Sequence, residues 1–353
     1  MSIGPYAYPR AIWRVTLDGR DVSAGMASRL DSLSITECRG GEADQLDIVL
    51  HDNDGLLEIP RLGVTLRVFL GWEQTGLVDK GTFVVDEVEY SGPPDQITLR
   101  ARSANLAAAL RTRTERSFHG KTINDIVSTV AKAHGLDPVV GQSFGNVVVP
   151  HIDQTNESDV AFLNRIGKRY DAVATVKEGR LLFLSIDKGK TASGADMPTV
   201  VLSRADGDGF RFHVADRDAY TGVRAYWQDK AGGTRRNVVV GVIGNAKRMR
   251  SVFGSEQDAL DNARAEWQRI QRGTATLQFD LAYGRPELVP QAKIQFPAMK
   301  APMGGITWLV SRIVHKLDEN GLTSSLEAET VEAVALQQEA DDAAALDGEA
   351  TDG

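Results

Sequence analysis

The sequence predicts a mainly β (α+β) protein in which two related antiparallel β-barrels flank a small inserted α/β module. Three observations carry this expectation. Residues 10–103 alternate apolar and polar positions between closely spaced turns. From about residue 103 the apolar spacing switches to threes and fours, the period of a helix. A late strand block over 292–323 then echoes the first block at a nearly constant separation. At 353 residues the chain also exceeds the roughly 250 to 300 at which a single core stops growing. The expected units are 1–105, 106–199, 200–330 and a terminal segment, 331–353.

In the first block, Ala11 to Leu17 runs into Asp18-Gly19, Leu33 to Cys38 into Gly40-Gly41, and Gln45 to Leu50 into Asp52-Asn53-Asp54-Gly55. Val64, Leu66 and Val68 alternate, as do Phe83 and Val85 and, beyond an irregularity, Val88 and Tyr90. Ile97, Leu99 and Ala101 follow the turn Gly92-Pro93-Pro94. Strands this closely spaced close into a barrel or stack as a sandwich.

The middle region reads differently. Ser103 to Arg111 forms a helical lead-in, and Lys121 to His134 places Ile123, Ile126, Val127, Val130 and Ala131 on one face. Thr122 suits the start of that helix and Gly135 its left-handed end. A second helix opens near Asn156 or Ser158, with Glu157 and Asp159 placed where the helix dipole favours them, and with Val160, Leu163, Ile166 and Tyr170 at helical spacing. Val173 and Val176 then lead through Lys177-Glu178-Gly179-Arg180 into the apolar run Leu181 to Leu184, a hairpin.

Strands return from Val200 to about Ala246, where Val223, Ala225 and Trp227 alternate before Lys230-Ala231-Gly232-Gly233. A helix over 255–272 interrupts them. Ser255 and Asp258 suit a capping box, Leu260, Ala263, Trp267 and Ile270 make its stripe, and Gly273 ends it. The echo of the first block follows. Phe83 to Val88 corresponds to Trp308 to Ile313, and Ile97-Thr98 to Leu322-Thr323, both 225 positions on. Val64, Leu66 and Val68 correspond to Ala292, Ile294 and Phe296, 228 positions on.

Composition narrows the function classes. The lone cysteine, Cys38, excludes a disulfide framework and any cysteine-based zinc cluster. No signal-like start and no apolar run near the roughly 20 residues of a membrane helix occur, so a soluble chain is expected, without direct membrane insertion. Net charge is −8, but residues 331–353 hold seven acidic residues and no Lys or Arg, leaving −1 elsewhere. That segment reads as a frayed helix or as disorder.

Catalytic and metal readings find little support. His119, His134 and His151 lie in different elements without zinc-helix spacing. The stretch His51 to Gly55 fails as a calcium loop, because the position twelve from Asp52 is Gly63. Asp206-Gly207-Asp208-Gly209-Phe210 lacks the third glycine and helix of a dinucleotide site and reads as a flexible loop. Glu157, Asp159 and Glu178 would be the carboxylates of a glycan hydrolase, but capping and a turn account for them. Cys38 sits in a strand without an adjacent base. Thus the expected catalytic, cofactor-binding and metal residues are none. Two basic runs, Arg100, Arg102, Arg111, Arg113, Arg116, Lys121 and Arg235, Arg236, Lys247, Arg248, Arg250, suit solvated strands and ion pairs between subunits, with DNA the alternative partner.

Three words in this sequence resemble the phage late control D family, the baseplate hub proteins of contractile tails, which are similar to the N-terminal hub part of the type VI secretion spike protein VgrG. They are Arg111 to Val127 with Ala131 to Leu136, then Glu157-Ser158-Asp159-Val160-Ala161-Phe162-Leu163-Asn164-Arg165-Ile166 with its hairpin, and Tyr283-Gly284-Arg285-Pro286-Glu287-Leu288-Val289-Pro290-Gln291. Ile166 stands for the family's Leu, and Gln291 for its Gly, which bears on the turn geometry there. The resemblance spans roughly 10–330 and implies tube-type barrels in a homotrimer. Such a hub joins the sixfold tail tube, or a tube-initiator protein, to the threefold central spike. It lines a channel for the tape-measure protein and DNA, which only pass through it, and it meets other baseplate proteins. The implied location is the virion tail baseplate, assembled in the host cytoplasm. A tailocin hub is the same-class alternative and a cell-wall-degrading tail enzyme the rival. The terminal segment is then a solubilising tail or a docking peptide for a neighbour.

Overall fold

A computed structural model describes residues 9–331 except 41, 104–109, 111, 178, 187–196, 198, 215–219 and 230. The expected lead-in helix over 103–111 (apart from Ser103 and Leu110), Glu178 and the acidic segment beyond Val331 lie outside the described residues.

The first block forms β1 (Ala11–Leu17), β2 (Arg20–Asp21), a single helical turn α1 (Ser23–Met26), β3 (Leu30–Cys38), β4 (Gln45–His51), β5 (Thr65–Trp72), β6 (Gly76–Ser91) and β7 (Gln96–Ser103). All pair antiparallel, in the order β3-β4-β7-β6-β5-β1-β2. Alternation is the cause. Leu46, Ile48 and Leu50 on β4 face inward with Leu66, Val68 and Leu70 on β5 and Phe83 and Val85 on β6. Each such side chain contributes roughly 1.5–3 kcal/mol by leaving water.

The insert contains β8 (Arg113–Thr122), α2 (Ile123–Ala133), β9 (Asp137–Val140), β10 (Val148–Ser158), α3 (Asp159–Tyr170), β11 (Ala172–Lys177) and β12 (Arg180–Ser185). Thr122 and Asp125 form a reciprocal capping box on α2, and Gly135 beyond its end has φ 65°. Ser158, not Asn156, caps α3 by accepting from the Ala161 amide at 3.2 Å. Ile123, Ile126, Val127 and Val130 pack with Phe162, Leu163 and Ile166 and with Phe183 of the hairpin, a core separate from that of the first block.

Then come β13 (Thr199–Val201), β14 (Gly207–Val214), β15 (Gly222–Asp229), β16 (Thr234–Gly241), β17 (Ala246–Phe253), α4 (Glu256–Arg272), β18 (Ala275–Leu281), β19 (Lys293–Gln295), β20 (Thr307–Asp318) and β21 (Gly321–Thr330). The expected loop over Asp206 to Phe210 is instead mostly strand. Phe210 pairs with Phe279 and Gly207 with Leu281, and ladder bonding overrides the low strand propensity of glycine. Strands β15 to β17, expected within the second barrel, form a sheet of their own that buries Val223 and Ala225 against Ala259 and Ala263 of α4. Ser255 accepts from the Asp258 amide at 3.2 Å, but the Asp258 carboxylate turns to Arg169 and Asn262, so only half of the expected capping box forms.

The two barrel units join into one 13-stranded sheet, because β20 pairs antiparallel with β3. They also repeat one another strand by strand. The order β3-β4-β7-β6-β5 recurs as β14-β18-β21-β20-β19. Leu33↔Ile48↔Leu99↔Val88 becomes Phe210↔Phe279↔Leu326↔Ile313, and Leu66↔Phe83 becomes Ile294↔Trp308. The irregularities repeat too. A bulge between Leu30 and Ser32 recurs between Gly207 and Gly209, and one between Val85 and Glu87 recurs between Val310 and Arg312. One expected equivalence shifts. Ile97, paired with Tyr90, corresponds to Ser324, paired with His315, rather than to Leu322, because the second hairpin runs two pairs further before it turns.

The same repeat resolves the Gln291 departure. Gly63 and Gln291 each donate to the next strand, at Val85 and Val310, both at 2.8 Å, with φ of 87° and 71°. Gln291 thus adopts the left-handed conformation that glycine takes in the first unit, and the turn keeps its geometry.

Candidate assembly interface

The junction of β20 with β3 holds the polar centre of the molecule. Both strands are amphipathic in the period of two, so the inward residues of one meet those of the other: Ile313 opposes Glu37 and His315 opposes Ile35. Lys80 reaches the site from β6. Its ammonium pairs with the Glu37 carboxylate and donates to the Pro286 carbonyl at 2.9 Å. His315 is fully buried, with Nε2 at 3.3 Å from both Glu37 and the Leu288 carbonyl and Nδ1 at 2.7 Å from the Ser324 hydroxyl. Glu37 Oε2 thus lies at ion-pair distance from the Lys80 ammonium, with the His315 ring beside it.

Burial by itself would push the Glu37 carboxyl up, yet His315 and the Lys80 charge hold it below the usual carboxylate range. Burial pushes His315 below the ordinary imidazole range against the pull of Glu37. A neutral imidazole follows, one that donates through Nε2 and accepts the Ser324 proton at Nδ1. Removing one member of such a set strands a buried charge, so the cluster fixes how the two barrel units meet.

A second network fastens the insert. Arg272, at the end of α4, donates to Asp171 at the left-handed end of α3, with one contact at 2.5 Å, and meets Glu329 of β21 at 3.2 Å. Glu329 also pairs with Arg39 just beyond β3. Burial opposes the charge on Arg272, but Asp171 and Glu329 more than offset it.

Two stretches of strand that match the closed β20–β3 junction have no strand partner on one side among the described residues. One is the β6 stretch Glu87–Ser91 on the side away from β7, where β5 has stopped. The other is the side of β14 away from β18. Tyr90 is 50% exposed and Phe210 44% exposed, whereas their counterparts at the closed junction, His315 and Leu33, are 0% exposed.

The residues weighed for chemistry have structural partners. His119 and His151 come together across β8 and β10, rings stacked 4.4 Å apart on the surface, with His151 also 3.0 Å from Asp153. His134 lies elsewhere, 2.6 Å from Asp159. Asp159 does more than stabilise a helix end. It is fully buried and also accepts from Arg116 and Gln154, both at 2.7 Å. Burial would raise its pKa, but His134, Gln154 and Arg116 hold it low. Glu157 pairs with Arg165 at 2.8 Å. Asp52 accepts from the Leu57 amide at 3.0 Å and Asp54 pairs with Arg29, the work of a turn. Cys38 is half-buried at the β20 junction, and burial raises its thiol pKa.

Of the basic runs, Arg100 pairs with Glu87 and Glu89, Arg102 with Asp86 at 3.0 Å, and Lys247 with Glu266 at 2.8 Å. Arg235 and Arg248 flank the Tyr226 ring. These partners lie within the chain. The sequence reading missed Glu37, Lys80, Asp171 and Arg272. The signal available was a charge inside an otherwise apolar strand or at a helix terminus.

The comparisons with known proteins agree with this arrangement. The phage tail baseplate hub (GPD) family matches residues 51–321. A probable baseplate hub protein of Escherichia phage 186 is 37% identical, covering 89% of this chain and 92% of its own length. Its counterpart in Escherichia phage P2 is 36% identical over 90% and 92%. In fold, the chain is similar to a tail protein from Neisseria meningitidis MC58, with TM-score 0.66 and 14% identity over 91% and 96% of the two chains. It is also similar in fold to an E. coli component of the type VI secretion system, with TM-score 0.53 and 13% identity over 87% and 74%; that component is described as resembling T4 bacteriophage tail proteins gp27 and gp5. On the extent of these matches, this chain belongs to the phage tail baseplate hub (GPD) family, whose place is the tail baseplate of the virion.

Proposed function

We propose that the chain is a structural symmetry adaptor: a homotrimer that joins a sixfold tail tube to a threefold central spike. The observation that supports this is the duplication. Two strand units with the same order, register and bulges stand in one chain, so three copies present six similar units around an axis while the rest of the chain keeps threefold symmetry. We divide the chain into a first barrel at 1–105, an insert at 106–199 and a second barrel with its helical arm at 200–330. In this reading the six units stack on the tube or its initiator, the opposite face holds the spike, and the ring passes the tape-measure protein and then DNA. Other baseplate proteins bind its periphery, and assembly takes place in the bacterial host cytoplasm.

The polar clusters act by fixing shape rather than by turning over a substrate. Mass measured in solution, alone and with tail-tube and spike proteins, tests the adaptor. A trimer is the expected result, and a chain that stays monomeric with both partners present overturns it. Zymography on peptidoglycan separates the rival reading. Lysis that depends on Glu157 or Glu178 would make the chain an enzyme.

A further inference from the structure

Resting on the trimeric reading above, we propose that the open edge of β6, Glu87–Ser91, pairs antiparallel with the open edge of β14, Arg211–Val214, in a second copy of this chain. The register is the one that β20 and β3 already show within the chain.

The internal repeat supplies both partners. Position 312 of β20 corresponds to 87 of β6, a separation of 225, and position 33 of β3 corresponds to 210 of β14, a separation of 177. Applied to the closed junction, these separations turn Ile313↔Glu37 into Val88↔Val214 and Val314↔Thr36 into Glu89↔His213. They likewise turn His315↔Ile35 into Tyr90↔Phe212 and Lys316↔Ser34 into Ser91↔Arg211. The part of β20 that takes β3 begins just past its bulge, and β6 is unoccupied from the same point on the same side. Each chain carries one edge of each kind, so the contact is head-to-tail, and in the trimeric reading three copies close it into a ring instead of ending at a dimer.

Chemistry across the paired edges agrees on both faces. Val88 is packed on the first core, and Phe212 and Val214 on the second, so the pairs Val88↔Val214 and Tyr90↔Phe212 make the two cores continuous across subunits. On the other face Glu89 meets His213 directly and Arg211 diagonally, which places a carboxylate beside a guanidinium. The exposed Tyr90 and Phe210 take the places of side chains that β20 and β3 bury completely. An uncovered edge of this length invites unspecific pairing, and a partner in fixed register removes that liability.

In β3 and β20, the amide of Arg39 donates to Ser311, so Thr36↔Val314 is a non-hydrogen-bonded pair, and so is its counterpart Glu89↔His213. Such pairs hold Cα atoms about 4.5 Å apart, within reach of a disulfide. The test oxidises the full chain carrying Glu89→Cys and His213→Cys in a Cys38→Ala background, and compares it with Glu87→Cys plus His213→Cys, a diagonal pair about 7–8 Å apart. The expected result is a covalent ladder ending at the trimer for the first pair and at least tenfold less cross-linking for the second. A trimer by native mass that links through the diagonal pair, or does not link, overturns the register and leaves the trimer standing. A chain that neither trimerises nor links with the tube and spike proteins present overturns both.

Discussion

Leu33 on β3 and Phe210 on β14 occupy the same place in two strand units, yet the first is sealed from water and the second stands almost half in it. The backbones around them agree in strand order, pairing and bulge position. Their side chains differ because only one of the two edges has a neighbouring strand among the described residues. At the closed edge, inward positions carry Glu37 and His315, whose burial is tolerated through Lys80. At the open edge the matching positions carry Val214 and Tyr90, which need no such partner. The repeat therefore conserves what the backbone requires, and each edge has acquired the chemistry of what it touches.

The comparison can be broken at its cores first. Phe83 and Trp308 are counterparts, nearly or fully buried against Leu66 and Ile294. Phe83→Ala and Trp308→Ala should each cost about 3–5 kcal/mol. Because β20 and β3 share a ladder, both should lower the same single transition in urea. Two separate transitions, each moved by one variant, would show that the units fold independently.

Next comes the closed edge. Glu37→Ala leaves the Lys80 charge buried and should cost about 3–5 kcal/mol. Val214→Ala, its counterpart at the open edge, should cost about 1 kcal/mol in the free chain. Urea midpoints of the two variants measure the gap.

Acidity should act through the same cluster. The folded-state pKa values of His315 and Glu37 are both lowered, so folding favours the deprotonated form of each. The stability from His315 is fully present above its ordinary pKa of 6.5 and is lost as the pH falls below it. Glu37 adds a further loss below its ordinary 4.5. His315→Gln should flatten the decline between pH 7 and pH 5, followed by urea midpoints at each pH.

The smallest expected effect concerns the matched turn. Gln291→Gly should stabilise the chain by about 0.5–1 kcal/mol, by relieving a side chain held at positive φ, and Gly63→Ala should destabilise it by about 1 kcal/mol or more. Thermal midpoints that shift the same way in both variants would contradict the equivalence of the two turns.

Much of this architecture was legible in the sequence because its signals are local. The alternation of Leu46, Ile48 and Leu50, the stripe of α2, the caps at Thr122, Ser158 and Ser255, and the turn at Gly179 depend on neighbours a few residues away. The repeat was visible as well, since Phe83 to Val88 and Trp308 to Ile313 place apolar residues and an irregularity at the same points. The site was much less legible. Glu37 reads as one charge in a strand, and nothing nearby in sequence announces Lys80 or His315. Asp159 reads as a helix-end acid, although Arg116 and His134 reach it from two other elements.

By itself, then, the sequence determined the elements, their order and the fact of a duplication, because hydrophobic period and turn chemistry act over short range. Tertiary structure alone decided that β3 and β20 fuse the two units into one sheet, that β15 to β17 leave it to pack on α4, and that Ile97 matches Ser324. Strand register across long separations is set by bulges, hairpin lengths and the charges that must find partners when they leave water. None of these is fixed until distant strands meet.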